Sequence, residues 1–194
     1  MPDTEDFAEW CRRLAASDRE AYAEVFEALY EPLFRYVRSI TKDESAARDV
    51  TQDVFVRLWD VRDRLDPSQS LKSYLYRTAR NRAYNHRRNR DTRSEKADDV
   101  RAHSNARPAA PTPPDAAAAG DRLKQSMRTW IAELPDRQRE ALVLSRFEGL
   151  SHEQIAEVMD ISARTVNNHI VRALKRLRAR VHDHKPDLLP HDEQ

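Results

Sequence analysis

The side chains best suited to chemistry in this 194-residue chain are hydrogen-bonding groups in helical register rather than nucleophiles or metal ligands. Arg164, Thr165, Asn167, Asn168 and Arg172 share a stretch with Val166, Ile170, Leu174, Leu177 and Val181. The apolar set recurs every three or four residues, which makes one buried stripe on a helix and turns the polar set outward. Asparagine suits adenine edges, and arginine suits guanine or a phosphate, so this face matches the major groove of duplex DNA. His169 sits between the two faces and is left unassigned.

A second set runs Tyr74, Tyr76, Arg77, Arg80, Asn81, Arg82, Tyr84, Asn85, His86, Arg87, Arg88. Rings interleaved with guanidiniums are the chemistry of single-stranded nucleic acid: rings stack on bases at about 1–3 kcal/mol each, and cations hold the backbone. The candidate contacts are Tyr76, Arg77, Arg80, Asn81, Tyr84, Arg87 and Arg88, whereas Tyr74 and Leu75 read as core. The loop at 62–70 is placed to receive an unstacked base. A third set lies upstream. Ala47, Val50, Val54 and Leu58 take the core face of a helix and leave Asp49, Gln52, Asp53 and Val56 outside, with Phe55 and Trp59 near the edge. A second partly apolar face of this kind suits a partner protein.

The elements that must position these residues are punctuated clearly. Ser151-His152-Glu153-Gln154 is a capping box, Asp160-Ile161-Ser162 a turn, and Ser162 a second N-cap, so 152–159 and 163–182 read as a helix-turn-helix. Helices are also expected over 121–133 and 136–148, with Pro135 at a first-turn position and Gly149 just past a helix end. Upstream, a helix over 5–16 has no assigned role. Ser17-x-x-Glu20 and Thr41-x-x-Glu44 read as capping boxes, and Tyr22, Val25, Phe26, Leu29, Leu33, Val37 and Ile40 as one stripe. Pro32 inside that stripe predicts a kink or joint. A long helix starts at Leu71 and runs into the arginines. No segment alternates as a strand. The expectation is an all-α chain of two small helical domains joined by a flexible Pro/Ala-rich linker, the C-terminal domain a helix-turn-helix. The divisions are 1–93, a linker at 94–120, 121–182, and a polar tail at 183–194.

Composition narrows the class. The net charge is only +1, yet acidic residues crowd 3–31 and basic ones crowd 77–93 and 172–180, which predicts local basic surfaces. One cysteine, Cys11, allows no internal disulfide and reads as an apolar filler in a reducing cytoplasm. No apolar run approaches the roughly 20 residues of a membrane span, so no membrane insertion is expected. There is no nucleotide-binding glycine loop, and His182, His184 and His191 read as a polar tail rather than a metal site. No catalytic residue, cofactor, metal or small-molecule substrate is expected.

Together these stretches resemble the extracytoplasmic-function sigma factors of bacterial RNA polymerase. AARDVTQDVFVRLWDVRDRL (46–65) resembles the segment that binds the polymerase clamp, with Asp49, Gln52, Asp53, Phe55 and Trp59 on its motif; Val56 joins them from the spacing. SYLYRTARNRAYNHRR (73–88) resembles the segment that melts and reads the −10 element on the non-template strand. LPDRQREALVLSRFEGLSHEQIAEVMDISARTVNNHIVRALKRLR (134–178) resembles the domain that reads the −35 element. Thr78 and Asp160 depart from the family pattern, which has a larger aliphatic residue and a turn glycine there.

The resemblance implies a non-enzymatic cytoplasmic factor that binds core RNA polymerase and directs it to promoter DNA, with an anti-sigma factor as a further partner. A 27-residue linker has a coil span of about 26–31 Å. Promoter elements roughly 50–60 Å apart would stretch it, within a contour length of about 90 Å. The alternative is a two-domain helix-turn-helix regulator acting without a sigma role, since Ser162–Leu177 also resembles response-regulator effector domains. Such a regulator needs an alternating strand–helix domain, and 1–93 shows no strand pattern.

Overall fold

The computed structural model describes residues 4–97 and 116–184, with side chains described over 7–92 and 123–184. Every element among the described residues is helical. They are α1 (Thr4–Ala15), α2 (Arg19–Thr41), α3 (Glu44–Asp60), α4 (Leu71–Ala97), α5 (Ala116–Ala132), α6 (Asp136–Arg146), α7 (His152–Met159) and α8 (Ala163–His184). A 3-10 turn at Arg62–Arg64 links α3 to α4. The linker expected at 94–120 is narrower at both ends. Glu95, Lys96 and Ala97 extend α4, and the Ala116–Ala119 run begins α5, as strong helix formers do. The remainder of that linker, and the tail from 185, lie outside the described residues.

Two helix starts differ from the spacing-based expectation, for a shared reason. A carboxylate in extended backbone outcompetes the nearby hydroxyl as a cap. Asp18 accepts from the Glu20 and Ala21 amides at 2.8 and 3.2 Å and is held by Arg13 at 2.7 Å, while Ser17 turns left-handed at φ 60°. Asp43 accepts from the Ala46 amide at 3.0 Å, whereas the Thr41 hydroxyl donates back to the Val37 carbonyl at 3.3 Å and ends α2. Pro32 does not break α2, which runs through it as one helix.

The buried stripe of α2 is Ala21, Val25, Leu29, Leu33, Tyr36, Val37 and Ile40. Phe26 leaves the expected stripe for the surface, and Tyr36 enters it. The α3 residues Ala47, Val50, Val54 and Leu58 are buried as the spacing predicts. Fully burying each such aliphatic side chain contributes about 1.5–3 kcal/mol, so α2, α3 and α4 hold together chiefly through this packing. α1 closes the end of that bundle over the 3-10 turn, burying Cys11 and Leu14 and donating the Trp10 indole N–H to Glu24 at 2.8 Å.

The helix-turn-helix forms as its caps dictate. Ser151 Oγ accepts from the Gln154 amide at 3.2 Å and Gln154 Oε1 accepts from the Ser151 amide at 2.9 Å. Asp160 adopts the left-handed conformation at φ 54° and ψ 54°, which a short polar side chain tolerates. Ser162 Oγ then caps α8 through the Thr165 amide at 3.1 Å.

The apolar core is not confined to each half. One cluster runs from α1–α4 through Ala141 and Leu144 of α6, Leu150, the α7 residues Ile155, Val158 and Met159, and Val166 and Ile170 of α8. A smaller cluster of Trp130, Leu134, Leu142, Ala173 and Leu177 ties α5 to α6 and α8. α7 lies directly against α4.

Gly149 leaves α6 at φ +66°, with nothing within 4 Å of where a Cβ would stand. Gly149→Ala is therefore expected to destabilise by roughly 1 kcal/mol through backbone conformation alone. Urea unfolding followed by circular dichroism checks this, and an unchanged midpoint would refute it.

Candidate nucleic-acid and partner surfaces

On α8 the caps and stripe aim the polar set outward. Arg164, Asn167, Asn168 and Arg172 are exposed beside the buried Val166 and Ile170, with Val171 also on the surface. Thr165 is half-buried, and its hydroxyl shares a 2.8 Å hydrogen bond with Ser162 Oγ, so part of its capacity is spent on the cap. His169 points inward. Its Nδ1 is buried without a partner, and burial, reinforced by Arg137 and Arg172 against the opposing pull of Glu140, holds its pKa below the ordinary 6.5.

On α3, Asp49, Gln52, Asp53 and Val56 are exposed and Trp59 half-buried. Asp53 pairs with Arg82 of α4 at 2.9 Å, an exposed contact of small energetic value. Phe55 is core, only 1% exposed. Its ring nevertheless supports an aromatic shelf that was not evident from α3 alone. Tyr22, Phe26, Tyr30 and Phe34 recur once per turn on α2; Phe26 lies 4.9 Å from Phe55, Tyr30 6.0 Å from it, and Tyr22 5.2 Å from Trp59. Phe26 and Val56 are 37% and 60% exposed, so the shelf presents apolar surface across both helices. The every-fourth-residue recurrence of rings in α2 is the sequence signal for this shelf, and it overlaps the apolar stripe at Tyr22 and Phe26.

The α4 set divides into two faces. Arg77, Asn81 and Arg88 are exposed, whereas Tyr76 and Arg80 are buried and Tyr84 and Arg87 half-buried against the C-terminal helices. Glu140 of α6 accepts from Tyr36 Oη at 2.8 Å, Arg80 Nε at 2.7 Å and Tyr84 Oη at 3.2 Å. Glu148 accepts from Tyr76 Oη through its carboxylate and from Lys72 Nζ through its carbonyl. Arg87 meets Asp136 at 3.1 Å, and the Tyr84 ring lies between the guanidiniums of Arg80 and Arg87, 4.8 and 5.2 Å away. The loop at 62–70 closes on itself, with Asp66 accepting from the Ser68 amide and hydroxyl.

The electrostatics follow from burial around fixed charge. Burial first, then the adjacent carboxylates, push the Tyr36, Tyr76 and Tyr84 phenols up, so all three stay neutral donors. Burial lowers Lys72, with Glu148 pulling the other way. At Asp136 burial alone would raise the pKa, but hydrogen bonds from Arg139 and Arg87 bring it below the ordinary value.

The described residues define an all-helical protein with a helix-turn-helix, a polar face on α8 and an aromatic shelf on α2 and α3. Residues 25–93 match Sigma-70 region 2, and residues 124–177 match Sigma-70 region 4. Similar proteins include the ECF RNA polymerase sigma factor SigM of Bacillus subtilis, 28% identical over 156 residues, covering 80% of this chain and 92% of that protein. The RNA polymerase sigma-H factor of Pseudomonas aeruginosa is 28% identical over 168 residues, covering 83% and 86%. The fold matches CnrH, solved with the cytosolic domain of CnrY, at TM-score 0.64 and 22% identity over 92% of this chain and 98% of that one. It also matches RpoE of Bartonella quintana, solved with the anti-sigma factor NepR, at 0.63 and 24% over 81% and 94%.

The chain belongs to the extracytoplasmic-function sigma factors, non-catalytic initiation factors that join RNA polymerase and direct it to promoters. The regulator alternative has no support in the fold, because no strand occurs among the described residues. Nor is any helix among them long and apolar enough to cross a membrane.

His169, turned inward from α8, gives a pH signature. Its folded pKa lies below the unfolded one, so its contribution is complete above 6.5 and is lost as pH falls through the lower folded value. His169→Asn is expected to flatten the fall in melting temperature between about pH 7 and about pH 5. Parallel profiles for the two proteins would remove His169 as the cause.

Proposed function

We propose that three faces divide the work of promoter-directed initiation in the cytoplasm. The shelf of α2 and α3, with Asp49, Gln52, Asp53, Val56 and Trp59, docks on core polymerase, and Phe55 acts from beneath by holding the rings in place. The α4 set, Tyr76, Arg77, Arg80, Asn81, Tyr84, Arg87 and Arg88, holds the non-template strand of the −10 element. Arg164, Thr165, Asn167, Asn168 and Arg172 read the −35 duplex, Thr165 chiefly by keeping the start of α8 in place. The domains on this reading are 1–93 and 121–182.

The observation that carries this division is the set of exposed, chemically distinct faces on separate helices: rings on α2, guanidiniums on α4, and amides with guanidiniums on α8. A duplex reader alone needs only the last of these. CnrH and RpoE were solved with the cytosolic domain of CnrY and with the anti-sigma factor NepR. By analogy we assign this chain an anti-sigma partner that competes for the α2–α3 shelf, where Phe26 and Val56 lie open.

Reconstitution with core polymerase tests the whole reading, with transcript 5′ ends mapped after overexpression to define the two promoter elements. Arg172→Ala is expected to lower runoff transcription from every target promoter by about tenfold, the scale of one lost arginine contact. Unchanged output would remove Arg172 from the DNA face. Val56→Asp places a charge on the shelf and is expected to weaken core binding by about tenfold in a direct binding assay while leaving the helical content intact. Wild-type affinity would move the docking face elsewhere.

A further inference from the structure

Part of the α4 face assigned to single-stranded DNA is already occupied by the chain itself. Lys72, Tyr76, Arg80, Tyr84 and Arg87 fall on one stripe, about one residue per turn, and each is bonded to α6 or to the α6–α7 connection. The occupant that takes most donors is Glu140. Tyr36 Oη at 2.8 Å and Arg80 Nε at 2.7 Å converge on its Oε1, and Tyr84 Oη reaches its Oε2 at 3.2 Å. The Arg80 and Glu140 side chains are only 10% and 4% exposed.

We propose that Tyr36, Arg80 and Tyr84 form a phosphodiester site, which the chain's own Glu140 fills in the free, closed protein and which passes to the DNA backbone when the two halves separate. The inference rests on the reading of α4 as a single-strand helix. Three neutral or cationic donors aimed at two oxygens on one centre suit an oxyanion. The phenols supply donors here, and the guanidinium offers no acceptor. A base edge, which mixes donors and acceptors, fits this set less well than a phosphate does.

The site survives separation because all three donors belong to α2 and α4. Tyr36 packs on Tyr76 with ring centroids 5.2 Å apart, and α2 and α4 lie directly against one another. Tyr36 is the new element: it comes from α2, outside any stretch assigned to DNA. Energetics favour exchange over permanence. Opening returns both Arg80 and Glu140 to water, so the buried pair holds the closed form by little more than its geometry. An external anion on the same donors can therefore compete with Glu140, which a core ion pair sealed on all sides would not permit.

The test uses the full-length chain, with size read from small-angle X-ray scattering and affinity from anisotropy of a fluorescent oligodeoxythymidylate of about 12 nucleotides. A mixed-sequence duplex of equal length is the second probe. Glu140→Ala is expected to enlarge the radius of gyration and tighten single-strand binding about tenfold, within the usual range of intramolecular coupling. The double variant Glu140→Ala/Tyr36→Phe should stay enlarged but give back about threefold, the scale of one hydrogen bond. Glu140→Gln, checked for native helicity, should shift both readouts in the same direction by less, and guards against misfolding of the alanine variant.

No enlargement in either Glu140 variant overturns Glu140 as the closing ligand. Enlargement without tighter binding overturns the phosphodiester site. An equal gain on the duplex supports a phosphodiester site but overturns its assignment to single strands. Arg77→Ala/Arg88→Ala, on the exposed face of α4, separates the two layers. If it weakens single-strand binding while Glu140→Ala tightens nothing, the α4 reading stands and this proposal falls. If it too is inert, the α4 reading itself falls.

Discussion

The arrangement of this molecule depends on two carboxylates, Glu140 and Glu148, buried at 5% and 4% exposure between its halves. Burying an ionised carboxylate is costly unless its oxygens are well paired. Here the carboxylate partners are a guanidinium and three phenols, all from the N-terminal helices, while the Lys72 ammonium holds the Glu148 carbonyl. Each half is therefore completed by the other. Without α6, the polar stripe of α4 would stand in water; without α4, the two glutamates would. The apolar cluster that runs from α2 into α7 gives the interface attraction, and the polar pairs give it register.

That division of labour also shapes the local charge. The basic helix α4 is partly neutralised from the C-terminal half, with Asp136, Glu140 and Glu148 lying against Arg87, Arg80 and Lys72. The basic surface is local and, in this arrangement, partly neutralised from within. By contrast, Arg164 and Arg172 on α8 meet no such counter-surface and remain exposed. The two faces proposed to bind nucleic acid thus differ in availability, although composition alone makes them look alike.

Most of the fold was legible in the sequence because helices announce themselves through local signals. The capping box at Ser151, the left-handed turn at Asp160 and the stripe of α8 each depend on residues a few positions apart, and each forms as the spacing predicts. Where local signals competed, the stronger acceptor won, as Asp18 did over Ser17 and Asp43 over Thr41. The site was less legible for a different reason. Tyr36 and Glu140 are 104 residues apart, and nothing in the neighbourhood of either names the other. Spacing also cannot tell a ring that lines a core from one that lies on a shelf, which is why Phe26 and Phe55 exchanged the roles expected of them.

The closed arrangement bears on the order of events in initiation. The α2–α3 shelf and the α8 face are open, and only the α4 stripe is covered. On the proposed division of labour, polymerase can then dock without prior opening of the chain, whereas single-strand contact through Tyr76, Arg80 and Tyr84 cannot precede it. Docking draws the halves apart only if polymerase binds the open form more tightly, since a ligand indifferent to the two forms shifts nothing. On the proposed division, polymerase on the α2–α3 shelf and the −35 duplex on α8 together supply that difference if they hold the two faces farther apart than the closed chain does. Coupling of this kind needs no dedicated inhibitory segment. On the proposed exchange at Glu140, it follows from placing the carboxylates that pair with α4 on the other half of the chain.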